Sequence, residues 1–253
     1  MKKIDFSKQL QEMFARFKWY EIAYISIGLV AVIVLSIIAK SSALTIIFSI
    51  FAILYVGFLA EQFKVAIIFG LIQCILYIVQ SALYNNWGEF ILNVAIVLPL
   101  LILALVNWFR GKSEQGLTVK SHKIGWKEWT ILICVSLAVG IGFFFVLRYF
   151  NTPYVLFASI CGFFSTMANY LVMRKSPISF VCFMFSNVFM FLIWLLPIVE
   201  GQSANFETMP MLAVLIIYTI SNIFGLINWN KSSSKVEKQN TLTTETENSE
   251  KEK

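Results

Sequence analysis

Polar punctuation divides the chain into eight long apolar runs, at residues 20–39, 43–60, 65–84, 88–109, 129–150, 154–173, 179–199 and 210–229. Each is close to the length of about 20 residues that an α-helix needs to cross roughly 30 Å of hydrocarbon. The runs are too long for barrel strands, which would alternate in polarity over about 10 residues. The pattern predicts an all-α polytopic membrane protein with eight transmembrane helices. Ahead of it, residues 1–19 set Phe6, Leu10, Phe14 and Phe17 at helical spacing among charges. That suits either an amphipathic helix on the inner leaflet or a flexible basic leader. It is not a cleavable signal, because the apolar run that follows is too long and lacks a small-residue cleavage site. Residues 230–253 are rich in Ser, Thr, Glu, Asn and Lys and predict a disordered tail with almost nothing to bury.

Composition sharpens this reading. Hydrophobic residues make up 58% of the chain and charged ones 13%, against about 45–50% and about 25% in soluble domains. The excess must face lipid. With the N-terminus inside, every Lys and Arg except Lys40 and Arg148 falls on the inner side. The bias places both termini in the cytoplasm of a multi-pass cell-membrane protein and explains the net charge of +6 without nucleic acid. Trp19, Trp87, Trp108, Trp126, Trp129 and Trp229 stand near run ends, where interfacial anchoring is expected.

Little of the chemistry an enzyme needs is present. Cys74, Cys134, Cys161 and Cys182 all lie inside apolar runs without metal-ligand or disulfide spacing and read as small buried hydrophobes. The one histidine, His122, lies in a polar loop. No G-x-x-x-x-G-K-[ST] phosphate loop occurs, and no cofactor or metal is implied. Glu61 and Glu89 fall near run ends, where interfacial placement accounts for them. The expectation is an uncoupled, passive transporter, since ion coupling usually uses an ionisable group inside the membrane.

Two runs end alike: ILALVNW at 102–108 and IFGLINW at 223–229 share Ile, Leu, Asn and Trp at equal offset. Short Asn-Trp ends are cheap matches in Leu- and Ile-rich sequence, but runs two and six also lead into basic loops, at Lys64 and Arg174-Lys175. This predicts two three-helix repeats, 43–109 and 154–229, joined by a linker helix at 129–150. One extra crossing restores the starting side, so the repeats run parallel, a plan that places substrate between them near the midplane.

Polar side chains inside such helices usually face the bundle interior. Gln73, Gln80, Asn93, Asn169, Asn187, Tyr218 and Asn222 are the candidates. Phe180, Phe183 and Asn187 share one helix face, as do Tyr218 and Asn222. Rings beside an amide suit a base-plus-ribose solute, because an amide both donates to and accepts from hydroxyls. The competing reading is that each amide bonds a neighbouring helix, at about 0.6 kcal/mol on average. Pro99, inside the fourth run, can kink its helix.

The segment 168–175 (ANYLVMRK), followed by Phe180, Phe183 and Asn187 and then Tyr218, Asn222, Gly225 and Trp229, resembles the PnuC family of vitamin transporters. Residues 88–93 (GEFILN) through Trp108 are similar to that family's fourth segment, and the likeness spans 43–229. It implies a three-plus-one-plus-three helix core like that of the sugar-transporting SWEET proteins, behind an extra N-terminal helix. It further implies a facilitator for nicotinamide riboside, trapped inside by phosphorylation, in a trimeric assembly. Phe180 and Phe183 would then stack on the solute ring, and Asn187, Gln73, Asn93 and Asn222 would bond its amide or ribose, with Tyr218 and Asn169 beside them. One departure stands out: the family's W-x-x-W-x-x-x-N has Phe at both Trp positions here. Relatives carry thiamine, riboflavin or deoxynucleosides, which are the alternatives. A non-transporting scaffold or sensor, binding partners through loop 110–127 and the tail, is a third reading.

Overall fold

A computed structural model describes residues 17–84, 86–110, 119, 124–200 and 208–251, with no side-chain account of 208–209 or of residues beyond Ser232. The leader through residue 16, His122 and most of loop 110–127 lie outside this set. Eight helices follow in order: α1 (Trp19–Ile38), α2 (Ala43–Ala60), α3 (Val65–Leu83), α4 (Trp87–Arg110), α5 (Trp126–Tyr149), α6 (Val155–Met173), α7 (Ile178–Val199) and α8 (Thr208–Lys251). All eight contain a stretch long and apolar enough to cross a membrane. Hydrocarbon cannot satisfy backbone N–H and C=O groups, so helices that bond internally are the form such runs take.

The ends are defined by local chemistry. Ser42 Oγ accepts the Thr45 N–H at 3.2 Å and caps α2. Asn86 Oδ1 accepts the Glu89 N–H at 3.5 Å at the start of α4. The α2–α3 and α6–α7 turns are built alike. Each turns on a left-handed residue, Gln62 (φ 64) in one and Lys175 (φ 58) in the other. The next residue then reaches back five positions: Phe63 N–H to Phe58 O at 3.1 Å, and Ser176 N–H to Leu171 O at 2.9 Å. This is the bond that closes a helix C-terminus in a Schellman turn.

Matching contacts tie the helices together. Trp108, near the end of α4, donates its indole N–H to Val172 O on α6 at 3.0 Å. Trp229, on α8, donates to Leu59 O on α2 at 2.9 Å. Each acceptor is the residue before the last in its helix. The two indoles meet with centroids 6.1 Å apart, and both are fully buried. Helix α1 packs on α2 and α8, and α5 packs on α6. Outer positions of α5 such as Ile131, Val135, Ile141 and Phe145 are exposed, as a lipid-facing surface requires.

Two expectations change. Trp108 and Trp229 are not interface anchors; each has an indole donor that finds a helix-end carbonyl, so burial leaves no polar group stranded. The chain from residue 230, expected to be disordered, continues α8 as helix to Lys251. Adding residues to an existing helix avoids the nucleation step that makes short helices marginal.

Candidate functional site

Halfway along the helices lies a cavity of about 150 Å³, walled by α2, α3, α4, α6, α7 and α8. Its rings are Phe48 and Tyr55 of α2, Tyr77 of α3, Phe183 and Trp194 of α7, and Tyr218 of α8. Its amides are Gln73 (α3), Asn93 (α4), Asn169 (α6) and Asn187 (α7). Ser165, Ser186, Cys161 and Glu89 complete the polar lining. Six of the eight residues expected from sequence thus converge: Gln73, Asn93, Asn169, Phe183, Asn187 and Tyr218.

The other two do not reach it. Phe180 is almost fully buried, edge-on to Trp229 with centroids 5.4 Å apart, and presses against Gly225. It shares a face with Asn187 but lies seven residues away, roughly 10 Å along the axis at 1.5 Å per residue. Asn222 likewise lies one turn from Tyr218 and is buried away from the cavity. Shared face did not mean shared depth.

The backbone of α4 opens at this point. Residues Asn93–Val97 form a π-helical turn in which the Leu98 N–H reaches back to Asn93 O. Pro99 follows two residues later and cannot donate to an α-helical partner. Single π-turns concentrate at functional sites, and both ends of this one, Asn93 and Val97, line the cavity. Asn93 Nδ2 donates to Glu89 O at 2.8 Å, and Asn169 Nδ2 donates to Ser165 O at 2.8 Å. Those two amides are therefore partly engaged by their own helices. Asn187 Nδ2 and the Tyr55 hydroxyl are buried without a protein partner among the described residues. Both residues line the cavity.

Sequence reasoning missed Glu89. Its place near the start of α4 suggested interfacial exposure, yet it lines the cavity with Tyr77 and Asn93 within hydrogen-bonding reach of its carboxylate. The signal was available, because Glu89 and Asn93 are i, i+4 and share a face. Glu61 was misread as well. Asn228 Nδ2 bridges it to Glu21, donating to Glu61 Oε1 and, at 3.2 Å, to Glu21 Oε1. Three helices, α1, α2 and α8, meet at that amide. Burial, then the Glu21 charge, pushes the Glu61 carboxyl, one residue beyond α2, up to about 7. The interior thus holds ionisable groups where none was expected. Arg174 adds a clamp between α5 and the end of α6, its Nη2 donating to Glu128 Oε2 at 3.0 Å.

A family described as nicotinamide mononucleotide transporter matches residues 42–231. The chain belongs to that family. A nicotinamide riboside transporter PnuC from Neisseria mucosa is 20% identical over 226 residues, covering 87% of this chain and 84% of that one. A crystal structure of the vitamin B3 transporter PnuC superposes with a TM-score of 0.75 at 18% identity, covering 90% of this chain and 98% of that one. The protein is therefore a multi-pass helical membrane transporter of the PnuC type, and its relatives are transporters rather than enzymes.

Proposed function

We propose that the protein is a facilitator that carries nicotinamide riboside across the cell membrane. The observation that carries this reading is the cavity, lined by aromatic rings together with amides and by Asn187 and Tyr55, whose buried donors have no protein partner among the described residues. A heteroaromatic base would lie against Phe183, Trp194, Tyr77 or Tyr218, offset or edge-on as such rings prefer. Asn187, Gln73 and Tyr55 would bond its carboxamide and ribose hydroxyls.

The family's name speaks of a mononucleotide, and the Neisseria relative's of a riboside. The lining favours the riboside. Among the described residues around the cavity none is Lys, Arg or His, and one is Glu. A phosphate dianion would meet no cationic side chain among them and would approach the Glu89 carboxyl, which disfavours it.

In this reading α2–α4 and α6–α8 act as two units joined by α5, with both termini cytoplasmic. The paired indole bonds support the repeat. Rocking of one unit against the other would open the cavity to each side in turn. Phosphorylation by a cytoplasmic kinase would then trap the riboside.

The test is uptake of labelled nicotinamide riboside into proteoliposomes, with thermal shift of the purified protein as the binding readout. A ligand that binds only the folded state raises its melting temperature. Saturable uptake, lost in Asn187→Ala while the variant still folds, is expected. Selective stabilisation by thiamine or a deoxynucleoside, with no response to the riboside, would refute the substrate.

A further inference from the structure

The proposed function gives Glu89 no contact with the riboside itself. Glu89 stands one turn before Asn93 on α4, and the groups within reach of its carboxylate, Tyr77 and Asn93, are neutral. No described residue lining the cavity carries a positive charge. A carboxyl withdrawn from water without a countercharge is held toward its neutral form, and a cation delivered by the ligand would stabilise the ionised one. The surrounding rings point the same way. Tyr77, Phe183, Trp194 and Tyr218 offer π faces, and aromatic walls attract cations that have shed their water.

Building on the assignment of the cavity as the transport site, we propose that Glu89 determines specificity: it selects solutes whose heteroaromatic ring is permanently cationic, as a pyridinium N-glycoside is. Uncharged rings gain nothing from the carboxylate, and phosphorylated solutes are repelled by it.

Two matched ligand pairs test this on the full-length purified protein by calorimetry. The first is nicotinamide riboside against its reduced dihydropyridine form, which keeps the ribose and carboxamide but has no charge. The second is 1-methylnicotinamide against nicotinamide, which carries the same contrast without ribose. Wild type is expected to bind the cation of each pair at least about tenfold more tightly, the scale of one partly desolvated ion pair. Glu89→Gln should remove most of that preference while its affinity for the neutral member stays within about twofold. Equal binding of charged and neutral members by wild type overturns the proposal without any variant, even if Glu89→Gln fails to fold. A preference that survives in folded Glu89→Gln also overturns it. If the methyl pair shows a Glu89-dependent preference but the riboside does not bind, the nucleoside reading fails and the charge assignment stands. If no member of either pair binds, both fall.

Discussion

Gly225 sits where the packing between α7 and α8 is exacting, and replacing it with alanine should unfold more than it alters. A Cβ there would lie 2.4 Å from Phe180 Cε1, 2.6 Å from Cζ and 2.7 Å from Cδ1. The ring has nowhere to retreat. It is 1% exposed, and Trp229 closes the other side edge-on at 5.4 Å. Overpacking of this kind costs about 1–3 kcal/mol. Removing a glycine from a helix interior returns roughly 0.5–1 kcal/mol. A net loss of about 1–2 kcal/mol follows, or a melting temperature lower by roughly 2–8 °C for a chain of this size. The assay is thermal melting of the detergent-purified protein. Phe180→Leu in the same background should recover much of the loss, giving a double-mutant coupling of about 1 kcal/mol. Ligand affinity should stay within about twofold, because neither residue lines the cavity. A tenfold loss of affinity at unchanged stability would show that Phe180 faces the ligand and that its placement behind the cavity is mistaken.

Trp108→Phe and Trp229→Phe should each cost about 1–2 kcal/mol, since each removes one buried hydrogen bond while the acceptor carbonyl keeps a turn N–H, from Lys175 and Gln62 respectively. Thermal melting should give similar losses for the two, and a loss confined to one would break the equivalence of the two bonds. At the Glu61–Asn228–Glu21 cluster, the folded chain holds the Glu61 proton to a higher pH than the unfolded chain does. Stability from this group is therefore complete below the ordinary carboxylate range and is lost as pH rises toward about 7. Melting measured from pH 4 to pH 8 should show that decline, flattened in Glu61→Gln; an unchanged slope in the variant would place the titration elsewhere.

The sequence makes the helices legible because the membrane leaves the chain so little choice. A run of about 20 apolar residues must satisfy its own backbone, and all eight spans fall within a few residues of the apolar runs. Most of the cavity was legible for a related reason: an amide in a lipid-crossing helix turns inward, and Gln73, Asn93, Asn169 and Asn187 all do. Helical periodicity fixes the direction of a side chain, however, and not what stands opposite it at that height. Phe180 points the expected way at the wrong depth and meets Gly225 and Trp229 instead of open space, while Asn222 is buried outside the cavity lining. Glu89 fails in the opposite sense. Nearness to a helix end reads as exposure, but the cavity wall reaches that end of α4.

Depth also decides how to weigh the exchange of Trp for Phe at 180 and 183. At 180 the ring is enclosed by Gly225 and Trp229, so its size is a packing variable tied to the glycine that admits it. A larger indole there would need more room on α8 and would alter stability before it touched any ligand. At 183 the ring is part of the cavity wall, and Phe presents less area than Trp and no N–H. Trp194 on the same helix lines the cavity as well, so an indole is not absent from the site. The departure from the family pattern therefore bears on recognition through a single ring. It leaves intact the features that discriminate by chemistry: the Asn187 and Tyr55 donors, which have no protein partner among the described residues, and a described lining with one acidic side chain, Glu89, and no basic one.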